Sequence, residues 1–267
     1  MVEVVPFQIK LTGNLTDYHE FEAYDGFTAM AGFARTLNLA AHYVETGKIR
    51  SRGDFTGRHA VLASVPRPGS MIFDFNVLAQ TAPAAIFGVI SSAAALVALT
   101  KHVIRLNIGD ELGDEPELET VMEKRSGDIA ALVAVSEAPI RQAHAVIGHG
   151  ASEAEIIGGA NILGQFDQDT ENYVKLDVVD AEPQTKKVTV PSFNANSGYG
   201  SIFDPDIGRV IPITMSRDVL AESRLTFGWA LNEYVKRTGA LIEITFTRVM
   251  SLDGRPKKYR IISARPA

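Results

Sequence analysis

The sequence predicts an α+β protein with an N-terminal β-α-β-β unit, an apolar central helix, and a C-terminal small barrel-like sheet with one helix. Apolar residues alternate as short strands at both ends of the chain, and one long N-terminal segment carries them at helical spacing. An uncharged stretch lies between the two ends. Because the pattern changes near each boundary, we expect three parts, residues 1–79, 80–150 and 151–267.

The N-terminal part reads in order as one strand, one helix and two strands. Residues 4–11 alternate as a strand. Residues 25–47 carry apolar side chains at steps of three and four, and Gly47 stands where a glycine ends a helix. Residues 59–65 and 70–78 are predicted as strands joined by a tight turn. Such an order favours one helix packed on a small antiparallel sheet.

The central part contains no charged residue from Phe75 to Thr100, which predicts an apolar helix over residues 83–104. Three small residues recur there at every fourth position, a spacing that lets helices approach closely, and we expect them to form a self-association face: Ala84, Gly88 and Ser92. The helix is long enough to span a membrane. We favour a buried helix, because alanine and serine contribute little to membrane insertion.

The remaining elements follow from the same signals. Residues 110–119 hold six carboxylates and no base, which indicates a solvated linker before a helix that Pro139 interrupts. Residues 153–163 and 173–179 are predicted as strands. In the last third, Ser216 caps a helix that Gly239 ends. The strands predicted around that helix are 187–190, 201–203, 209–213, 241–249 and 259–264.

Composition excludes several classes of protein. With 46% hydrophobic and 22% charged residues the chain is globular. It has no cysteine, which excludes disulfide frameworks, cysteine nucleophiles and thiolate metal sites. The N-terminus lacks the features of a signal peptide, so we expect a cytoplasmic protein, with membrane association as the alternative.

Charge is unevenly distributed along the chain. Residues 1–79 hold 7 basic and 8 acidic residues, residues 80–183 hold 6 and 17, and residues 184–267 hold 13 and 7. Opposite charge on the middle and the end suggests that the two regions face each other, within one chain or between subunits. A homo-oligomer is therefore an expected state.

Strong catalytic signatures are missing from the sequence. There is no P-loop, dinucleotide fingerprint or HExxH pair, and the Gly148-His149-Gly150 segment lacks the third glycine of a fingerprint. None of the six histidines has a recognisable serine or aspartate partner. We therefore expect no catalytic residue, metal or cofactor and favour a protein that is not an enzyme.

The basic C-terminal end suggests a possible partner. Four bases surround a predicted hairpin turn beside one aromatic residue: Arg255, Lys257, Lys258, Arg260 and Tyr259. A small barrel with a basic rim and stacking aromatics is typical of proteins that bind single-stranded nucleic acid. The alternative is that these bases pair with the acidic middle of the chain.

Several stretches resemble a family of uncharacterised two-domain bacterial proteins from mobile-element or phage-defence regions. They are Gln8-Ile-Lys-Leu-Thr-Gly, Ala41-His-Tyr-Val-Glu-Thr-Gly, Pro68-Gly-Ser-Met-Ile-Phe, Gly208-Arg-Val-Ile-Pro-Ile and Gly254-Arg-Pro-Lys-Lys-Tyr. The resemblance implies a two-part α+β chain with an apolar helix between its parts, and a role in defence or mobile-element biology. It implies no catalytic site.

The leading functional hypothesis is a self-associating assembly or sensing protein. Two alternatives stay open at this point. The chain could be a nucleic-acid-binding module that uses the basic hairpin, or a membrane effector that inserts residues 83–104.

Overall fold

The structure is a computed structural model that describes residues 2–50, 55, 59–64, 71–80, 83–110, 112–252 and 254–267. These residues form two compact units. The first contains Met1–Lys124 and Val135–Lys175, and the second contains Arg125–Ala134 and Leu176–Ala267. Both units combine strands with helices, so the predicted α+β class is confirmed.

The bounds of the regular elements are as follows. The helices are α1 (Ala23–Thr46), α2 (Ser92–Ile108), α3 (Glu119–Ala143), α4 (Gln168–Lys175) and α5 (Arg217–Val235). The strands are β1 (Val2–Thr12), β2 (Ala60–Ala63), β3 (Ile72–Gln80), β4 (Glu153–Gly158), β5 (Asn161–Phe166), β6 (Val178–Val179), β7 (Gln184–Phe193), β8 (Gly200–Asp204), β9 (Arg209–Met215), β10 (Ile242–Met250) and β11 (Pro256–Pro266). Short 3-10 helices lie at Asn14–Tyr18, Ala85–Phe87 and Pro116–Leu118.

The first unit contains an antiparallel sheet in the order β2-β3-β1-β4-β5. The predicted β-α-β-β order of β1, α1, β2 and β3 is confirmed, and Gly47 ends α1 in the left-handed conformation. Alternate residues of β1 are buried, and α1 packs on the same face, where Phe33 meets Phe75 edge to face at 5.1 Å. The turn predicted between residues 65 and 70 lies outside the described residues.

The division of the chain differs from the predicted boundary at residue 151. Strand β4 pairs with β1, with Phe7 opposite Gly158 and Thr12 opposite Glu153, so β4, β5 and α4 belong to the first unit. Residues 153–163, predicted as one strand, form β4, a turn and the start of β5, and part of 173–179 is helical. Asp167 begins α4 by accepting a 2.9 Å hydrogen bond from the amide of Thr170.

The helix predicted over residues 83–104 is not one helix. A 3-10 turn at Ala85–Phe87 is followed by Gly88 at φ 71° and ψ −142°, a conformation that favours glycine and cannot continue an α-helix. Ser91 then caps α2 by accepting from the amide of Ala94 at 3.1 Å. Helix α2 therefore begins at Ser92, later than predicted, and continues past residue 104 to Ile108. Among the described residues, no helix is both long enough and apolar enough to cross a membrane.

Helix α3 is irregular at a different place from the predicted one. The helix continues through Pro139, whereas Arg125 departs from helical geometry with φ −143° and ψ 31°. A Cβ on Gly32 would lie 2.5 Å from the carbonyl oxygen of Pro139, so α1 and α3 approach each other backbone to backbone. Residues 125–134 of this helix belong to the second unit.

The second unit contains a closed barrel with one packed helix, α5, as predicted, and it also includes residues 125–134 of α3. Its strands follow the order β7-β8-β9-β11-β10, and β10 returns to pair with β7. Strand β11 closes the barrel, because it is antiparallel to β10 and parallel to β9. Helix α5 packs on β7 and β11, and the core contains Val188, Val190, Phe193, Ile202, Ile211, Ile213, Phe227, Ile242, Ile244, Phe246 and Tyr259.

Candidate functional site

Helix α5 has one face that belongs to the barrel core. Leu220, Ser223, Phe227 and Ala230 are buried, and the Phe227 ring stacks on Phe193 with 5.1 Å between centroids. The helix begins as predicted, because the Ser216 hydroxyl accepts from the amide of Val219 at 3.3 Å. It ends at Val235, before the predicted stop at residue 239. This inner face fixes α5 on the barrel.

The opposite face of α5 is exposed and partly apolar. We define the outer face of α5 as Ala221, Leu225, Gly228, Trp229 and Asn232, all exposed residues. The Leu225 side chain is 86% exposed, and Trp229, the only tryptophan of the chain, is 42% exposed. Their four-residue spacing places both side chains on one surface of the helix. The outer face therefore presents a large aliphatic and a large aromatic group to solvent.

Among the described residues of the second unit, no neighbouring atom requires glycine at position 228. A Cβ added to Gly228 would meet no atom within 4 Å, and its backbone is helical. Glycine inside a helix costs about 1 kcal/mol relative to alanine. Because glycine has no side chain, the helix backbone between Leu225 and Trp229 is uncovered, and another helix can approach it closely.

Opposite charges flank the outer face at equal distances. Asp218 lies seven residues before Leu225, and Lys236 lies seven residues after Trp229. Seven residues are about two helical turns, so both charges follow the line of the outer face. Lys236 is 57% exposed although it pairs with Glu233 at 3.1 Å. The hydrogen bond from Lys236 lowers the pKa of Glu233, so this carboxylate stays ionised.

The structure separates the five residues of the predicted basic site. Tyr259 is fully buried in the barrel, where its ring stacks on Phe246 at 4.3 Å, so it is not a stacking group for bases. Lys257 pairs with Asp177, and its side chain is buried. Lys258 and Arg260 alternate with Tyr259 on β11 and point away from the interior, and Arg255 is exposed. Nucleic-acid binding at this hairpin stays a prediction, now without its aromatic group.

Tyr259 belongs to a buried polar network. Its hydroxyl donates to Asp204 at 2.5 Å, and Lys186 Nζ donates to both oxygens of that carboxylate at 2.8 Å. Burial raises the pKa of Asp204, but the hydrogen bonds from Lys186 and Tyr259 outweigh it and the pKa is lowered. Burial and the hydrogen bond to Asp204 raise the pKa of Tyr259. The network is an ionised, satisfied structural cluster.

The three residues expected to form a self-association face do not share a helix face. Only Ser92 lies in α2, where it is buried. Ala84 donates its amide to the carbonyl of Val44 at 2.7 Å, and a Cβ on Gly88 would contact Thr120. The shared helix face on which this prediction depended is absent, because Gly88, at φ 71° and ψ −142°, breaks the helical spacing. Self-association through these three residues stays a prediction.

One group of described residues has the composition of a metal site. Glu22, Asp25 and His149 each offer a ligand atom, and these atoms lie within 4.8 Å of one another. The His149 ring nitrogen is 3.8 Å from the Asp25 carboxylate, and Glu22 and His149 are exposed. Carboxylate and imidazole ligands would suit a divalent transition metal. The sequence did not reveal the group, because His149 lies far along the chain from the two carboxylates.

Sequence reasoning also missed the outer face of α5. The prediction of this helix used its inner stripe, which includes Phe227 and Ala230. A second stripe was available, because Leu225 and Trp229 are four residues apart and fall between the inner positions. Two apolar stripes on opposite sides of one helix indicate two packing surfaces.

Two family models together cover most of the chain. Residues 7–175 match DUF7946, described as a domain of unknown function, and residues 182–265 match DUF7947, described as a family of unknown function. The first match ends at Lys175, where the first unit ends. No curated protein and no solved structure matches the chain. A two-domain chain is confirmed, whereas bacterial origin and a link to phage defence stay predictions.

Proposed function

We propose that this chain, which belongs to the DUF7946 family, is an assembly protein that self-associates through the outer face of α5. The observation that carries the proposal is the exposure of Leu225 and Trp229 on the side of α5 opposite its barrel contacts. Tryptophan is enriched among the residues that dominate binding energy at protein interfaces. Burying one leucine side chain contributes about 1.5–3 kcal/mol.

The partner that fits this face is a second copy of α5 in antiparallel orientation. A two-fold axis between Leu225 and Trp229 brings Leu225 of each copy against Trp229 of the other. The same axis places Asp218 of each copy opposite Lys236 of the other, because both charges lie seven residues outside the apolar pair. Apolar groups and charges are thus complementary under one symmetry operation, which supports self-association over a foreign partner.

The size of the surface sets the expected affinity. A single pair of 19-residue helices buries less than the roughly 1,600 Å² of a standard interface. We therefore expect a dimer with a dissociation constant in the micromolar range, about 1–100 µM. Gly228 allows the two backbones to approach, which increases the contact of the tryptophan rings with the facing helix.

Sedimentation velocity over that concentration range tests the proposal. The unaltered protein should change from monomer to dimer, and Leu225→Asp or Trp229→Asp should keep it monomeric, because a buried unpaired carboxylate is unfavourable. Leu252→Asp is the matched control, since Leu252 is 61% exposed in the second unit but lies outside α5. This variant should dimerise like the unaltered chain.

A charge exchange tests the geometry of the dimer. Asp218→Lys places two bases opposite each other and should weaken dimerisation, and adding Lys236→Asp should restore it. Circular dichroism confirms that each variant is folded. A chain that stays monomeric at about 100 µM, or a Leu225→Asp variant that dimerises normally, would show that the proposal is wrong.

A further inference from the structure

The first unit contains a cavity of about 470 Å³ whose use is unassigned. Helix α2 and strand β1 form an apolar wall, which includes Val5, Ala94 and Val97. The segment between α2 and α3 and the turn between β4 and β5 form the polar side. The volume lies within the range of about 300–1,000 Å³ that is usual for small-molecule sites.

Charges of both signs line this cavity. Lys101 comes from α2, and Asp114, Glu115 and Glu117 come from the acidic segment before α3. In the part of the chain that the structure describes, Lys101, Asp114 and Glu117 form no ion pair. The ammonium and the carboxylates are thus close enough to share a cavity but do not neutralise each other directly.

Glu115 has one satisfied and one unsatisfied oxygen. Its Oε2 lies 2.5 Å from Nδ1 of the buried His102, which fixes the carboxylate at the cavity wall. Its Oε1 is buried and has no hydrogen-bond partner. This oxygen has almost no accessible surface, so the charge of Glu115 acts on a cation in the cavity through space and not through a direct hydrogen bond to Oε1.

A single metal ion does not fit these carboxylates. Among the described residues, Asp114, Glu115 and Glu117 do not bring three ligand atoms within 4.8 Å of one another. The distribution of charges instead suits a ligand several atoms long. Such a ligand carries a cation toward Glu115, an anion toward Lys101 and an apolar part against α2.

We propose that this cavity binds a small zwitterion with an apolar side chain, of the amino-acid class. Its ammonium lies on the side of the cavity that Asp114, Glu115 and Glu117 line, and these carboxylates balance its charge. Its carboxylate accepts from Lys101, and its side chain packs on Ala94 and Val97. The site lies in the first unit and is independent of the self-association proposed for α5.

Isothermal titration calorimetry on the full chain tests the site with three probes. L-leucine carries both charges, L-leucinamide lacks the carboxylate, and N-acetyl-L-leucine lacks the ammonium. We expect L-leucine to bind and each blocked probe to lose about tenfold or more in affinity, the effect of removing one charged hydrogen bond. No heat with L-leucine up to about 10 mM, or equal binding of the three probes, would overturn the proposal.

Variants then locate the binding. Lys101→Met should weaken L-leucine about tenfold and leave L-leucinamide unchanged, because only the carboxylate contact is lost. Glu115→Gln should weaken L-leucine and L-leucinamide alike. The controls are Lys10→Met and Glu155→Gln, which make the same changes on the sheet of the same unit, outside the cavity. Binding that Lys101→Met and Glu115→Gln leave unchanged would contradict this site.

Discussion

At the scale of single residues, His144 shows how burial decides the charge of a side chain. The imidazole is fully buried and stacks on Phe166 with 4.0 Å between ring centroids. Its Nδ1 donates to the carbonyl of Ile140 at 2.8 Å, and its Nε2 lies 3.2 Å from the Thr170 hydroxyl. Burial lowers the pKa of His144 to about 4, from 6.5 in an exposed histidine.

This lowered pKa predicts a loss of stability in acid. His144 is neutral in the folded first unit, whereas the unfolded chain takes up its proton as the pH falls below 6.5. The stabilisation is therefore complete above pH 6.5 and is lost as the pH falls toward 4, by up to about 3 kcal/mol. Hydrogen exchange of the β4 and β5 amides measures it. His144→Gln should flatten the decline, and exposed His149→Gln should leave it unchanged.

Tyr259 shows that the neighbours of a residue in the sequence do not determine whether its side chain is buried. Four nearby bases suggested an aromatic group on a binding surface, but the alternation of β11 turns the ring into the barrel. The partner that holds its hydroxyl, Asp204, comes from β8, and Lys186 comes from β7. Such a network depends on strand order, so the sequence near residue 259 did not contain it.

At the scale of elements, α5 combines a packed face with a face that is free in one copy of the chain. We predict that Gly228→Ala separates the two properties. Alanine should raise the free energy of unfolding of the monomer by about 0.5–1 kcal/mol, because the added Cβ meets open space and favours the helix. The same methyl group should weaken the dimer, because it separates the facing helices.

Urea unfolding of dilute protein and sedimentation velocity of concentrated protein measure the two effects. Ala221 is already alanine on the same face, so Ala221→Gly is the reverse control and should destabilise the monomer. If the Gly228→Ala variant dimerises as strongly as the unaltered chain, the two helices do not approach each other closely at position 228.

The start of α2 shows that composition alone does not locate the first residue of a helix. The predicted helix was right from Ser92 onward, where α2 buries most of its apolar side chains, and wrong over residues 83–91, which do not form α-helix. Its first turn was placed too early, because Pro83 and several alanines favour a helix at that point. The positive φ of Gly88 and the Ser91 cap decide the boundary, and the presence of a glycine in the sequence does not show which conformation it adopts.

At the scale of the molecule, the middle of α3 contributes to the stability of the second unit, although the residues of α3 on either side of it belong to the first unit. Residues 125–134 belong to the second unit, where Asn194 donates to Asp128 at 2.7 Å. A Cβ on Gly127 would lie 2.6 Å from the carbonyl carbon and oxygen of Phe193. The glycine therefore permits close packing of this segment on the barrel.

Gly127→Ala should destabilise the second unit by about 1–3 kcal/mol, since the clash involves backbone atoms that cannot move freely. Trp229 fluorescence in urea reports on this unit alone, because it is the only tryptophan. Gly113→Ala is the control, since its Cβ would meet no atom within 4 Å. Equal stability of the two variants would exclude this packing.

The sequence predicted elements better than their assembly. Alternation and helical spacing located β1, α1, α5 and the β10–β11 hairpin, since these signals are local. The pairing of β4 with β1 joins residues about 145 positions apart, and no local pattern specifies it. The surfaces considered for function, the cavity and the outer face of α5, depend on such assembly, so the sequence contained only fragments of them.

Barrel closure has a consequence for synthesis of the chain. Strand β11 follows the other barrel strands in the chain, and it closes the ring by pairing with both β9 and β10. Until β11 has left the ribosome and paired, β9 and β10 each lack a neighbour on one edge. The nascent second unit is therefore open to strand exchange with neighbouring nascent chains until β11 has joined the sheet.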